Sequence, residues 1–293
     1  MARRHPILRG FLILVGAIVG LVIALAVVVR IWSPEMSFRA AVAVVEIQGV
    51  IEDTTELVET LGRYRNDKNI VGVVLRVDSP GGGVAPAQEL YDAVWRLRGV
   101  KPVIASFGNV AASAAYYISS AADVIVSDPG TLTGSIGAIM EFQNYEALAN
   151  KVGVGETVVK SGHFKDVGHP LRPLADDERA MLQGVVDDAL SQFIDAVAKG
   201  RGLEADRVRT LADGRLYSGA QAQAVGLVDQ LGGLDVAERL AWERAGQAGE
   251  PRIVRVRARR RAWWLSFFEQ LALPQTRRLG GGLMFLYEGA LPH

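Results

Sequence analysis

The chain has 293 residues, 49% hydrophobic and 22% charged, which allows one large domain or two small ones and excludes wholesale disorder. It has no cysteine, so a thiol nucleophile, a disulfide framework and a thiolate metal site are all excluded. Its four histidines (His5, His163, His169, His293) make no H-E-x-x-H pattern, and no metal site is expected.

The net charge of zero hides an uneven distribution. Arg3, Arg4, Arg9 and Arg30 flank the first apolar run, and Arg252, Arg255, Arg257, Arg259, Arg260 and Arg261 crowd a late segment. Without these arginines the remaining chain is acidic, so the body has no basic surplus for a nucleic-acid backbone and no nucleic-acid partner is expected.

Gly10 to Val29 carries no polar or charged side chain over 20 residues. As a helix this run would span about 30 Å, the thickness of a hydrocarbon core. The arginines before it predict a cytoplasmic N-terminus, a single-pass anchor in the cell membrane and an extracytoplasmic remainder. Ala24-Leu25-Ala26 has the small-x-small form of a signal-peptide cleavage site, but it lies inside the apolar run, so an uncleaved anchor is the reading preferred.

Beyond the anchor, 41–47 (AVAVVEI) and 71–77 (VGVVLRV) are β-branched runs suited to buried strands. The stretch 54–65 between them reads as a helix with Leu57, Val58 and Leu61 on one face. Further strands are predicted over 103–107 and 124–127, and helices over 85–97 and 111–121. This alternation indicates parallel β-α-β units. The clearest helix is 176–199, with Leu182, Val186, Ala189, Phe193 and Val197 at three- and four-residue steps, acids in its first turn and Gly200 after it. Another helical tract spans 203–211. The expected division is an anchor over 1–37, an α/β domain over 38–247 and a basic, aromatic tail over 248–293. Arg252–Arg261 and the Trp263-Trp264 run suit either a membrane interface or an oligomer contact.

Three segments carry candidate chemistry. Asp78-Ser79-Pro80-Gly81-Gly82-Gly83 follows a strand, where glycines let backbone N–H groups face an incoming oxygen. That geometry suits an oxyanion or a phosphate, but neither a P-loop nor G-x-G-x-x-G is met; a plain tight turn is the simpler alternative. Gly108–Tyr117 places Ser113 among small residues at a predicted helix start, either as a nucleophile beside a free N–H or as a buried capping serine. It is not the G-x-S-x-G elbow. The third is Lys160-Ser161-Gly162-His163-Phe164-Lys165-Asp166, with Ser135 upstream in Thr131–Gly137. A lysine serves as a general base near neutral pH only where its surroundings favour the uncharged amine, and a hydroxyl such as Ser135 can hold that amine in line. His163 has no neighbouring acid in sequence to orient it and reads as an exposed loop histidine.

In order, R-V-D-S-P-G-G-G (76–83), K-P-V-I-A-S-F-G-N-V-A-A-S-A-A-Y-Y-I (101–118), D-P-G-T-L-T-G-S-I-G (128–137), K-S-G-H-F-K-D (160–166) and A-D-G-R-L-Y-S-G-A-Q-A-x-x-x-G-L-V-D (212–229) resemble the signal peptide peptidase A family, in its short single-copy form. The resemblance covers about 42–240 and leaves the tail unexplained. It implies an α/β fold of the Clp protease/crotonase type, a repeated β-β-α superhelix, after one N-terminal transmembrane helix. It further implies Ser113 as nucleophile, Lys165 as general base, Ser135 as the residue orienting the lysine, and the N–H groups of Gly82 and Ala114 as the oxyanion hole. By the same resemblance the chain forms a dome-like homo-oligomer in which serine and lysine meet across a subunit boundary. Its substrates would be signal-peptide remnants and other unfolded or membrane-derived peptides, cut without ATP, metal or other cofactor.

One departure stands out. Ala114-Ala115 replaces the family's usual Gly-Gly after the nucleophile, and the added methyls are expected to narrow the floor beside the scissile bond. Three other readings remain open at this stage: a catalytically silent membrane scaffold of the same fold, an acyl-CoA crotonase, and a related membrane peptidase acting on stomatin-like partners.

Overall fold

A computed structural model of the chain describes residues 15–24, 40–255 and 284–286. The chain divides into two units, Met1–Arg39 and Ala40–His293. In the first, α1 (15–24) is a helix with exposed side chains. The expected membrane span over 10–29 lies partly outside the described residues, and no helix among the described residues is long and apolar enough to cross a membrane. Most of the basic, aromatic tail also lies outside them.

The second unit is built on one mixed sheet of β1 (Ala41–Gln48), β2 (Ile70–Ser79), β4 (Val103–Ala112), β5 (Val124–Ser127), β6 (Leu132–Gly134), β7 (Leu216–Ser218), β8 (Gln230–Leu231) and β9 (Ile253–Arg255), in the order β7-β6-β4-β2-β1-β9. All pairings are parallel except β6 with β7. β5 lies along the first half of β4 and β6 along its second half, both on the side away from β2. The sheet takes in Ile253–Arg255, within the stretch assigned from sequence to the tail.

The unbroken apolar runs of β1 and β2 follow from burial on both faces. Ala43, Val45, Ile47, Val73, Leu75 and Val77 point into the larger core. That core is closed by α2 (Thr55–Asn66), α3 (Val84–Arg98), α4 (Ala114–Ser119) and α6 (Asp176–Arg201). The alternate residues Val42, Val44, Val74 and Ile104 pack on Ala237, Ala241 and Trp242 of α9 (Leu234–Arg244). Helix α6 forms as its periodicity predicts, burying Ala189, Phe193 and Val197. It ends where Gly202 takes a left-handed conformation at φ 64°. α7 (Ala205–Leu211) and α8 (Gly219–Ala224) complete the helices on this side.

One segment departs from expectation. The stretch 111–121 is not one helix. β4 runs on through Ala112, and only Ala114–Ser119 is helical. The extension is held by side chains: Asp78 Oδ1 accepts from the Val110 N–H (3.1 Å), and the Thr131 and Thr133 hydroxyls donate to the Gly108 and Ala111 carbonyls (2.7 Å each). These long-range bonds override the local helix propensity of an alanine-rich run.

Candidate active site

The site lies where β4 ends. Ser113 sits between strand and helix with φ 55° and ψ −118°, a conformation that costs a non-glycine residue about 1–3 kcal/mol. Its N–H donates to the Gly134 carbonyl at 2.8 Å, and its carbonyl accepts from Tyr117 at 2.8 Å. The side chain is 1% exposed, and its Oγ has no hydrogen-bond partner among the described residues. The capping alternative therefore fails, because the hydroxyl caps nothing. A buried hydroxyl without a partner costs about 1–3 kcal/mol. A strained backbone and an unpartnered hydroxyl together mark a residue kept for something other than stability.

The register of β4 with β6 pairs Ala112 with Gly134, which sets Ser135 beside Ser113. Ser135 is nearly buried, with φ 49°, and its N–H donates to the Arg215 carbonyl at 2.8 Å. Arg215 is itself clasped by Asp213, whose carboxyl this contact lowers to about 2.

The glycine segment forms a short strand of its own, β3 (Gly81–Gly83), packed against α4. Ile51 N–H donates to the Gly81 carbonyl (2.9 Å) and Gly83 N–H to the Ile51 carbonyl (2.8 Å). By strand alternation the Gly82 N–H then faces the opposite edge. A Cβ at Gly82 would collide with the Ile51 carbonyl oxygen, so only glycine fits there. On that opposite edge lies β10 (Met284–Leu286), antiparallel to β3 with Phe285 opposite Gly82 and in contact with α4. Sequence reasoning missed this strand, which sits alone in the tail with no partner run nearby in sequence.

Ala114 is the first residue of α4, so its N–H lacks an intrahelical acceptor. Ala114 and Ala115 are fully buried, and both methyls join the larger core. Neither residue has a positive φ.

Lys165 stands apart. It lies in a 3-10 turn, His163–Asp166, on an exposed arm that also carries α5 (Glu146–Val152), and it makes no hydrogen bond to Ser113 within the chain. Helix α5 buries no residue. Leu148, Val152, Val154 and Phe164 are exposed along the arm, and Val159 is 96% exposed. His163 does have an acid, Asp177, 2.6 Å from its Nε2, but both side chains are exposed on the arm side. That acid lies 14 residues downstream in sequence. The cleft of about 660 Å³ lined by Met140, Phe142, His169, Arg172, Pro173 and Leu174 belongs to this arm and does not include Ser113. Among the described residues no cluster of His, Asp and Glu could hold a metal ion.

Peptidase family S49 matches residues 96–247. A protein of Synechocystis sp. inferred to be a protease is 40% identical over 74% of this chain and 78% of its own length. An Enterococcus faecium protein inferred to be a signal peptide peptidase is 38% identical over 64% of this chain and 58% of its own. A chloroplastic serine protease of Arabidopsis thaliana is 33% identical over 65% of this chain and 28% of its own. The matched region runs from the end of α3 past α9 and contains Ser113, Ser135 and Lys165. On this ground the chain belongs to peptidase family S49 and is a serine peptidase related to signal peptide peptidase A.

Proposed function

We propose that the protein is a membrane-anchored endopeptidase in which Ser113 is the nucleophile and Lys165 of a neighbouring copy is the general base. The observation that carries this reading is the Ser113 hydroxyl, buried, strained in its backbone and without a partner among the described residues. The arm bearing Lys165, with its exposed apolar side chains, supports an oligomer in which one copy completes the site of the next.

In the reaction the uncharged Lys165 amine takes the Ser113 proton as Oγ attacks the scissile carbonyl carbon. The resulting oxyanion is held by the N–H groups of Gly82 and Ala114. Collapse of the tetrahedral intermediate breaks the C–N bond, and the Lys165 ammonium returns the proton to the departing amine. Water, deprotonated by the same lysine, then hydrolyses the acyl-enzyme and restores Ser113. Ser135, beside Ser113, orients the amine. An extended peptide lying antiparallel to Gly81–Gly83 would bring its carbonyl to Gly82, since β10 takes the same edge in that sense.

Residues 10–29, with the arginines before them, support a single-pass anchor that leaves residues 38–247 and the tail outside the cytoplasm. The substrates that suit a site beside such an anchor are cleaved signal peptides and other unfolded, membrane-derived chains.

Two inactive variants test the shared site. Ser113→Ala and Lys165→Ala, assembled separately, should cleave no peptide and take no fluorophosphonate label. Co-assembled, they should regain a fraction of both, because mixed neighbours pair an intact serine with an intact lysine. Activity of Lys165→Ala alone would remove the lysine from the mechanism. Failure of a demonstrably mixed oligomer to recover would place both residues in one chain.

A further inference from the structure

The arm carrying Lys165 is held by charges more than by apolar packing. Arg172 Nη2 donates to the Asp166 carbonyl (2.9 Å) and lies 3.0 Å from Asp166 Oδ1, while its Nε donates to Oδ2 (3.2 Å). On its other side Nη1 donates to Glu178 Oε2 (2.7 Å) and to the Pro173 carbonyl (3.1 Å), and Nη2 pairs with Glu178 Oε1 (2.5 Å). Glu178, 1% exposed in the first turn of α6, also accepts from the Ala175 N–H at 3.0 Å. Lys160 Nζ donates to Asp166 Oδ1 (2.6 Å) and to the His163 carbonyl (2.9 Å).

Asp166 immediately follows Lys165 in sequence. Left free, its carboxylate would be a ready ion-pair partner for the lysine and would favour the protonated, non-basic form. Here both of its oxygens are engaged by two other cations. We propose that Arg172 is a positioning residue for catalysis: it bolts the Lys165 turn to buried Glu178 and, with Lys160, occupies the Asp166 carboxylate so that it does not capture the lysine.

The proposal rests on Lys165 being the base. The remaining charges around the turn are consistent with it. His163 is paired with Asp177, His169 with Glu156 at 3.2 Å, and the four groups Lys160, Asp166, Arg172 and Glu178 sum to zero formal charge. The hydrogen bonds from Lys160 and Arg172 hold the Asp166 carboxyl at about 2. An arginine suits the role because its rigid planar fork presents paired donors to both carboxylates, whereas a lysine offers a single point charge.

The test is the pH profile of kcat/KM for a fluorogenic peptide, measured on the full chain in its assembled state. Arg172→Gln should lower kcat about tenfold or more with little change in KM. It should also move the acid-side midpoint up by about half to one pH unit, because the Asp166 oxygen that Arg172 held is then open to the lysine and favours its protonated form. Asp166→Asn combined with Arg172→Gln should return the midpoint to the wild-type value while kcat stays low, since the turn is still untied. Arg172→Lys should leave the midpoint in place with reduced kcat, and it carries the test if Arg172→Gln does not assemble. A wild-type midpoint and kcat in assembled Arg172→Gln, a midpoint still displaced in the double variant, or an unchanged kcat in Arg172→Lys would each overturn the proposal. None of these results resembles failure of the underlying reading, which shows instead as an active Lys165→Ala.

Discussion

Ser113 and Ser135 adjoin across the β4–β6 pairing, with the Ser113 N–H on the Gly134 carbonyl at 2.8 Å, and they are the two non-glycine residues with positive φ among those described. Two strained serines on neighbouring strand ends are not required by any turn chemistry; other side chains at these positions would strain no less, and glycine would relax both. The strain holds two hydroxyl-bearing residues at one place on the sheet.

That strain predicts a trade between stability and activity. In the unassembled chain Ser113→Ala removes a buried hydroxyl with no partner among the described residues and should raise stability by about 1 kcal/mol. Ser113→Gly relieves the backbone as well and should raise it further. Both should abolish fluorophosphonate labelling. Thermal unfolding checks the sign: a lower Tm in both variants would mean that the hydroxyl has a stabilising partner after all.

Two glycines packed against backbone carbonyls should separate structure from chemistry. A Cβ at Gly82 meets the Ile51 carbonyl and one at Gly200 meets the Ser120 carbonyl. Each alanine variant should lose about 1–3 kcal/mol of stability through overpacking. Gly82→Ala should also lose about 100-fold or more in kcat, because on the proposed mechanism it displaces an oxyanion donor. Gly200→Ala, at the far end of α6, should keep its turnover per folded molecule. Active-site titration beside denaturant unfolding distinguishes the two. Equal turnover in both would take Gly82 out of the oxyanion hole.

The strands of the sheet were legible because β-branched runs buried on both faces have few other homes, and 41–47, 71–77 and 124–127 match the observed strands closely. The helix over 176–199 was legible for the same kind of reason, a sustained apolar face. The alanine-rich 111–121 misled, since its strand state is imposed by Asp78, Thr131 and Thr133 from distant segments. The arginine clamp was also hidden. Arg172 and Glu178 are six residues apart, a spacing that no helix face brings together, and they meet only because the chain turns through Pro173 before α6 begins.

The clamp has a pH signature of its own. Asp166 and Glu178 are held at about 2, against ordinary values of 3.8 and 4.5, chiefly by hydrogen bonds from Lys160 and Arg172 to the first and from Arg172 to the second. A carboxyl lowered in the folded state adds stability that is complete above its ordinary value and is lost as pH falls through the folded one. Protection of the arm should therefore decline between about pH 4.5 and about pH 2. Hydrogen exchange over residues 160–178, corrected for intrinsic rates, reads this directly. Arg172→Gln should show little protection even above the window, and an acid-insensitive arm in the wild type would contradict the account.

The tail makes the last prediction. Strand β10 lies along the only edge of Gly81–Gly83 that Ile51 leaves open, with Phe285 opposite Gly82. On the proposed mechanism, a peptide held for attack by Ser113 would need that same edge, because the Gly82 N–H points to it. Two strands cannot occupy it together, so on the proposed reading the tail would compete with substrate as an internal ligand. A chain shortened to end at residue 280 should cleave peptides with a KM lowered about three- to tenfold and kcat little changed, as expected when a tethered competitor is removed. A synthetic peptide covering 281–293 should inhibit the shortened enzyme competitively and the full chain less strongly. Equal KM in the two chains would mean that β10 leaves this edge whenever substrate is present.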